Sequence, residues 1–268
     1  MAQQHGSPLL ISRDAFNPSI GQDTIFKPGG LELTTSGIPR HVGVILDGNR
    51  RWARKNGVAV GDSYRRGAEK VAQLLDWCDQ ARIEFVTLWA LSIDNMQRSP
   101  HDVCELSDII VKGLWKMAKA RRWRLKPIGA LSLLCPEVAM ALHDIEEATK
   151  SVDGMLVNIA IAYDGRDEII SAVRELLHEG TAMGLSAEET GSRLLSQEGI
   201  ARCLFTHDQP PLDLLIRTSG EQRLSGFLLW QVAHAELYFC DTLWPDFEEA
   251  DFSLALRAFE QRQRRFGA

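Results

Sequence analysis

Residues 41–67, HVGVILDGNRRWARKNGVAVGDSYRRG, place a carboxylate, a glycine turn and a run of guanidinium groups within a few positions of one another. Asp47, Gly48 and Asn49 break an uncharged apolar run, and Arg50, Arg51, Trp52, Arg54 and Lys55 follow. A carboxylate can ligate a divalent cation, glycine lets the backbone approach an anion, and arginine grips phosphate oxygens through a planar fork. These residue types at this spacing suit a diphosphate and its metal ion; the plainer alternative is a polar turn that caps a helix. Further polar clusters lie at 92–98, 163–166 and 217–225. They add Arg98, Arg166, Arg217 and Arg223, while the acids are chiefly Asp47, Asp94, Glu221 and Glu236. That balance fits an anionic substrate held partly by arginines and partly by a metal on one or two carboxylates.

Such residues act together only if the fold gathers them. Each cluster closes a segment of strand character: 42–46, 85–91, 156–163 and 212–216, with further strands expected at 125–129 and 237–239. Helical spacing fills the intervals. In 64–81 it runs through Val71, Leu74, Leu75 and Cys78, and in 101–120 through Val103, Leu106, Ile110, Gly113, Leu114 and Met117. Helices are also expected at 136–149, 167–178 and 252–264, with shorter ones over 180–203. This alternation predicts a single α/β domain with a mostly parallel sheet flanked by helices. Ligands of such a sheet bind outside the carboxyl ends of its strands, so clusters distant in sequence share one edge. Residues 1–37 carry Pro8, Pro18 and Pro28 with no clear period, and are expected to form a poorly ordered arm ahead of a domain spanning 38–268.

Composition removes several function classes. With 268 residues, 45% of them hydrophobic and 25% charged, the chain has the profile of a globular protein with a substantial core. A formal net charge of −6 argues against broad nucleic-acid binding. Five cysteines, Cys78, Cys104, Cys135, Cys203 and Cys240, include no CxxC pair, which argues against a disulfide framework and a zinc site. Cys78 and Cys104 sit in apolar helical patterns and are expected to be buried thiols. No apolar window is long enough to span a bilayer and no leader is evident, so a cytoplasmic protein without a transmembrane segment is expected. There is no GxxxxGK[ST], no GxGxxG after a strand, no GxSxG and no DDxxD. The histidines lack metal-ligand spacing, and His234 is expected to be structural beside Glu236.

Five segments carry a family resemblance. ILDGNRRWAR, ALSIDNMQR, NIAIAYDGR, LIRTSGEQRLSGFLLWQ and a closing RRFG, in order between residues 39 and 267, resemble the motifs of the cis-prenyltransferase family, which includes undecaprenyl diphosphate synthase. The resemblance implies a mostly parallel six-stranded sheet, a homodimer, a requirement for magnesium (Mg2+), and addition of isopentenyl diphosphate to an allylic diphosphate with a new Z double bond. It implies that Asp47 is the catalytic carboxylate working with magnesium, and that Gly48, Asn49, Arg50, Arg51 and Trp52 hold the allylic diphosphate, with Tyr64 at the same pocket. Asn95, with Ser92 and Asp94 beside it, would help take the proton from isopentenyl diphosphate; Ile93, Met96 and Arg98 complete that cluster. Arg217, Arg223, Leu224 and Ser225 would hold isopentenyl diphosphate, and Glu236 would be a second magnesium ligand supplied by the partner subunit. Arg265 and Gly267 match a terminal motif that folds over the site. A lipid product leaves room for peripheral membrane contact.

The chain also departs from the family pattern. Ser63-Tyr64-Arg65-Arg66-Gly67 replaces a common histidine-bearing segment, Val60 stands where an arginine is frequent, Ile93-Asp94-Asn95-Met96 replaces a segment with glutamate and tryptophan, and Gly226 replaces an asparagine. The tyrosine, DGNRRWAR and RTSGEQRLSGFLLWQ point to the short-chain branch that makes (2Z,6E)-farnesyl diphosphate. The segment 95–129 is short, implying a short tunnel, while Ala90 is small where that branch can carry bulk. Alternative readings are a medium- or long-chain synthase, a terpene cyclase or irregular prenyl-coupling enzyme on the same fold, and a non-catalytic partner subunit. The last is disfavoured because Asp47, Asn49, Arg51 and Asn95 all persist.

Overall fold

The first strand, β1 (His41–Ile45), is five buried residues in a row, so it can only sit inside a sheet covered on both faces. In the computed structural model, which describes residues 37–262, it does. β1 lies between β2 (Phe85–Ser92) and β5 (Leu214–Arg217), and β3 (Arg124–Ile128), β4 (Leu156–Tyr163) and β6 (Glu236–Phe239) complete the order β3-β4-β2-β1-β5-β6. Among the described residues every strand pairing is parallel, and β4 is buried throughout, in keeping with a sequence that is apolar but for Asn158.

Side chains alternate across the sheet. Val42 and Val44 join a large core with Leu74, Leu75, Leu114, Leu142 and Phe252, whereas Ile45 turns to the other face with Tyr163, Leu215 and Phe227. The helices are α1 (Asn49–Asn56), α2 (Val60–Gln80), α3 (Pro100–Ala120), α4 (Pro136–Thr149), α5 (Gly165–Ala182), α6 (Ala187–Arg193), α7 (Gln197–Arg202) and α8 (Glu249–Gln261). Ser99 starts α3 as an N-cap, its hydroxyl accepting from the Asp102 amide at 3.1 Å, and Pro100 occupies the first helical position, where its missing N–H costs nothing.

The expected architecture stands, with local corrections. The segment after Asp47 is a helix of its own, α1, rather than a turn leading to a later helix. α2 begins at Val60, ahead of the expected start at residue 64, and α5 begins at Gly165 because the Asp164 carboxylate caps it, accepting from the Arg166 amide at 2.8 Å. Cys78 is buried, but Cys104 lies on the exposed side of α3. Residues 1–36 of the expected arm, and Arg265 and Gly267, lie outside the described residues. Among the described residues no helix is long and apolar enough to cross a membrane.

Candidate active site

The site is built where β1 runs out. Gly48 takes φ 112°, a conformation that favours glycine, and a Cβ there would stand 3.1 Å from the Leu243 Cα. This turn swings the chain into α1, whose first turn has no acidic residue, so unpaired N–H groups and the positive end of the helix dipole face the mouth of a cavity. Asp47 is fixed through its backbone: its carbonyl accepts from the Thr218 hydroxyl at 2.7 Å and from the Trp244 amide at 3.0 Å.

Arg217, at the end of neighbouring β5 and only 4% exposed, donates from Nη2 to Asp47 Oδ2 at 2.9 Å and from Nη1 to Ser225 Oγ at 2.9 Å. Nη1 also donates to the Arg223 carbonyl, while Nε is buried without a partner among the described residues. Arg51, one helical turn after Asp47, donates to the Ser219 carbonyl at 2.9 Å and to the Ser219 hydroxyl, and lies 3.7 Å from Asp47 and 3.4 Å from Glu221. Burial works to raise the Asp47 pKa, but hydrogen bonds from Arg217 and Ser219 and the charges of Arg217 and Arg51 outweigh it. The carboxyl is held below its ordinary range.

The turn after β2 forms the facing wall. The Asn95 amide donates to Ser92 Oγ at 3.1 Å, and Asn95 Oδ1 accepts from the Ser92 amide at 3.4 Å, so the carboxamide is held against the strand end. Arg98 Nη1 donates to the Tyr64 hydroxyl at 3.0 Å, tying this turn to α2. Below the polar mouth the cavity, about 390 Å³, is lined by Val71, Leu88, Ala90, Leu106, Ile110, Leu114 and Ile159. The apolar stripe of α3 is thus both core and cavity wall. A charged mouth over an apolar sac is the shape that a lipid diphosphate demands.

Among the described residues no three His, Cys, Asp or Glu side chains cluster as a metal cage. Asp47, its side chain about one-third exposed, offers a single carboxylate at the mouth. That donor set fits a hard cation whose other ligands come from phosphate oxygens and water.

A prenyltransferase family model, described as "Putative undecaprenyl diphosphate synthase", matches residues 45–267. The chain belongs to the undecaprenyl diphosphate synthase family. It is 50% identical over 236 residues to the (2Z,6E)-farnesyl diphosphate synthase of Thermobifida fusca, covering 88% of this chain and 92% of that one. It is 48% identical over 240 residues to the short-chain Z-isoprenyl diphosphate synthase of Mycobacterium leprae, covering 89% and 91%. Among solved structures, lavandulyl diphosphate synthase from Lavandula x intermedia in complex with dimethylallyl diphosphate superposes with a TM-score of 0.80 at 34% identity, over 87% of this chain and 100% of that one.

In this undecaprenyl diphosphate synthase-type chain, Asp47, Gly48, Asn49, Arg50, Arg51, Tyr64, Ser92, Asp94, Asn95, Arg98, Arg217 and Ser225 all line the one cavity. Other expected residues stand outside its lining. Trp52 donates through Nε1 to Asp246 at 2.7 Å and is covered by the Arg66 guanidinium 5.1 Å from its ring centre. Met96 packs on the larger core and Leu224 on the smaller one. Ile93 is tied through its amide to the Tyr163 carbonyl at 3.3 Å. Arg223 is exposed and pairs with Glu221, and Arg166 is exposed and held by Asp164 at 3.4 Å. Glu236 pairs in register with Leu214 at the amino end of β5 and bonds to Arg262, so in this chain it lies at the opposite end of the sheet from Asp47. His234 is exposed.

Thr218, Ser219 and Trp244 were not singled out from the sequence. The first two lie in the RTSGEQR segment, next to the arginine that was. Ser219 has φ 83°, a strained value for a serine, and with it turns its hydroxyl and carbonyl to Arg51. Trp244 lines the cavity and donates from Nε1 to the Gly67 carbonyl at 2.9 Å; a lone Trp-Pro after a short strand gives no periodic signal.

Proposed function

We propose that this enzyme condenses isopentenyl diphosphate with an allylic diphosphate, geranyl or farnesyl diphosphate, forming a Z double bond and a short-chain product. The observation that carries this reading is the Asp47–Arg217–Arg51 cluster set at the mouth of an apolar cavity. The N-terminus of α1 with Asn49, Arg50 and Arg51 receives the allylic diphosphate, and Arg98, steadied by Tyr64, closes the same pocket. Arg217 and Ser225, with Arg223 at the rim, receive the diphosphate of isopentenyl diphosphate. Magnesium, with Asp47 as its protein ligand, would neutralise charge on the departing diphosphate. The arginines stabilise that charge as it develops, and the apolar walls keep water from the allylic cation. Asn95 and Ser92 orient the carbon of isopentenyl diphosphate that gives up its proton, which passes to a nearby diphosphate oxygen.

The catalytic unit is residues 38–268, active as a cytoplasmic homodimer in which Glu236 of one subunit serves the site of the other as a second magnesium ligand. The test is incorporation of radiolabelled isopentenyl diphosphate by purified protein with dimethylallyl, geranyl or farnesyl diphosphate and magnesium. Z-configured products with isopentenyl diphosphate are expected; no incorporation with any primer would reject the reading. The likeness to lavandulyl diphosphate synthase supports a second reading, coupling of allylic diphosphates alone. Product formed from dimethylallyl diphosphate without isopentenyl diphosphate would favour it.

A further inference from the structure

A second cavity, of about 590 Å³, opens on the outer side of α2 and α3. It does not merely lie near the first: Ala68, Ile109, Gly113 and Met117 line both. The wall between them is therefore one side chain thick. At its centre it is thinner still, because a Cβ built on Gly113 meets nothing within 4 Å except the Ala68 Cβ at 3.7 Å. Elsewhere α2 and α3 are closed against each other. A Cβ at Gly61 would collide with the Glu105 side chain at 2.1 Å, and Arg65 crosses to Glu105 at 3.1 Å. Past the end of α3, Arg122 reaches back to Asp79 of α2 at 2.9 Å. The seam is thus pinned at both ends and gaping in the middle.

Gly113 is a costly choice in the interior of a 21-residue helix, since alanine there has better helix propensity and room for its methyl. Met117, the other half of the wall, is unbranched and able to swing between rotamers. On the reading that the first cavity holds a growing prenyl chain, we infer that the Ala68–Gly113 seam is a side outlet. The distal end of the chain passes between α2 and α3 into the second cavity, and Gly113 sets the longest chain the enzyme accommodates. The occupant is the apolar tail of the substrate itself, because the two cavities share Ala68, Ile109, Gly113 and Met117 as a common wall. The lining of the second cavity is mixed: Ala68, Ala72, Ile109, Met117 and Trp123 are apolar, and six of its eight charged groups, Glu69 and Lys112 among them, are exposed to solvent.

The experiment compares wild type, Gly113→Leu and Ala72→Phe. Ala72 lines only the second cavity. Each protein is given labelled isopentenyl diphosphate with dimethylallyl, geranyl, farnesyl and geranylgeranyl diphosphates, and the dephosphorylated products are resolved by mass spectrometry. Any product shows that a variant is folded, so the readout is the ratio of chain lengths within each protein. Both variants are expected to shift that ratio toward the shorter chain by about tenfold or more per isoprene unit, and to lose the longest primer that wild type accepts. If Gly113→Leu yields no product at all, Ala72→Phe decides by itself. Wild-type chain lengths in Ala72→Phe would overturn the outlet while leaving the prenyltransferase reading intact. Failure of wild type with every primer would instead reject that reading, and the outlet with it.

Discussion

Asp47 is held by groups that, on the proposed function, also receive substrate. Arg217 spends two of its nitrogens on Asp47, Ser225 and the Arg223 carbonyl, and among the described residues Nε is buried without a partner. On that proposal the pair is poised: an incoming diphosphate would take over Arg217 and Arg51 and leave the Asp47 carboxylate to hold a divalent cation. Asp47→Asn preserves the shape and an acceptor for Arg217 but removes the charge. It is expected to cut turnover by roughly 10²-fold or more, measured by isopentenyl diphosphate incorporation, with an unchanged circular dichroism spectrum. Because the carboxyl sits below its ordinary value of 3.8, its protonation does not set the acid limb of activity near neutrality. On the proposed function Tyr64 acts at one remove, through its hydrogen bond from Arg98. Tyr64→Phe frees that guanidinium and is expected to raise KM for the allylic diphosphate on the order of tenfold while changing kcat much less. An equal rise in KM for both substrates would show that Tyr64 supports the fold rather than Arg98.

At the scale of elements, two glycines make opposite predictions for one substitution. Gly67 faces Asn49 and Trp244, and a Cβ would stand 2.6 Å from Asn49 Oδ1 and 3.1 Å from Trp244 Cδ1. Gly67→Ala is expected to destabilise by about 1–3 kcal/mol and to push Asn49 from the mouth. Gly113→Ala meets only open space and Ala68, and is expected to stabilise by about 0.5–1 kcal/mol. Denaturant unfolding of the two variants beside wild type checks both. The same physics explains what could be read beforehand. β4 was legible to the residue because seven of its eight residues are apolar or aromatic, with Asn158 the exception, and α4 because Pro136 marks its first turn. α1 was missed because of its eight residues only Ala53 is buried, so it has no apolar face to produce a period. α8 was expected to start at residue 252 but starts at Glu249, since its capping box is made by Glu248 and Asp251 instead of the usual serine or threonine. The polar strand ends showed which edge carries the site. They could not show that Trp52 and Arg223 turn outward, because that depends on partners such as Asp246 and Glu221 whose positions only the fold supplies.

For the molecule as a whole, the end of the sheet away from the site has its own buried polar chain. His41 is fully buried, with Nδ1 3.1 Å from the Pro210 carbonyl and Nε2 2.8 Å from the Thr87 hydroxyl. The carbonyl can only accept, so Nδ1 carries the proton and Nε2 accepts from Thr87, which in turn accepts from Asn158 Nδ2 at 2.8 Å. Burial lowers the His41 pKa, against the opposing pull of the Pro210 bond and the Asp213 charge. The unfolded chain therefore binds a proton below about pH 6.5 that the folded chain does not. Stability from this group is complete above that pH. It falls as pH drops through 6.5 toward the depressed folded value, with a slope of up to about 1.4 kcal/mol per pH unit. Urea unfolding between pH 7.5 and 5 checks this, and His41→Gln is expected to flatten the slope. The sheet order carries one more consequence, for the nascent chain. β1 emerges first yet occupies a central position, and Asp47 bonds to a side chain 170 residues later. No hairpin can shelter it, because every neighbour is parallel and arrives after a long crossover. On the ribosome, β1 keeps an open edge until β5 is synthesised, so Asp47 has to wait for its partner Arg217, and the interval before then is when chaperone protection matters most.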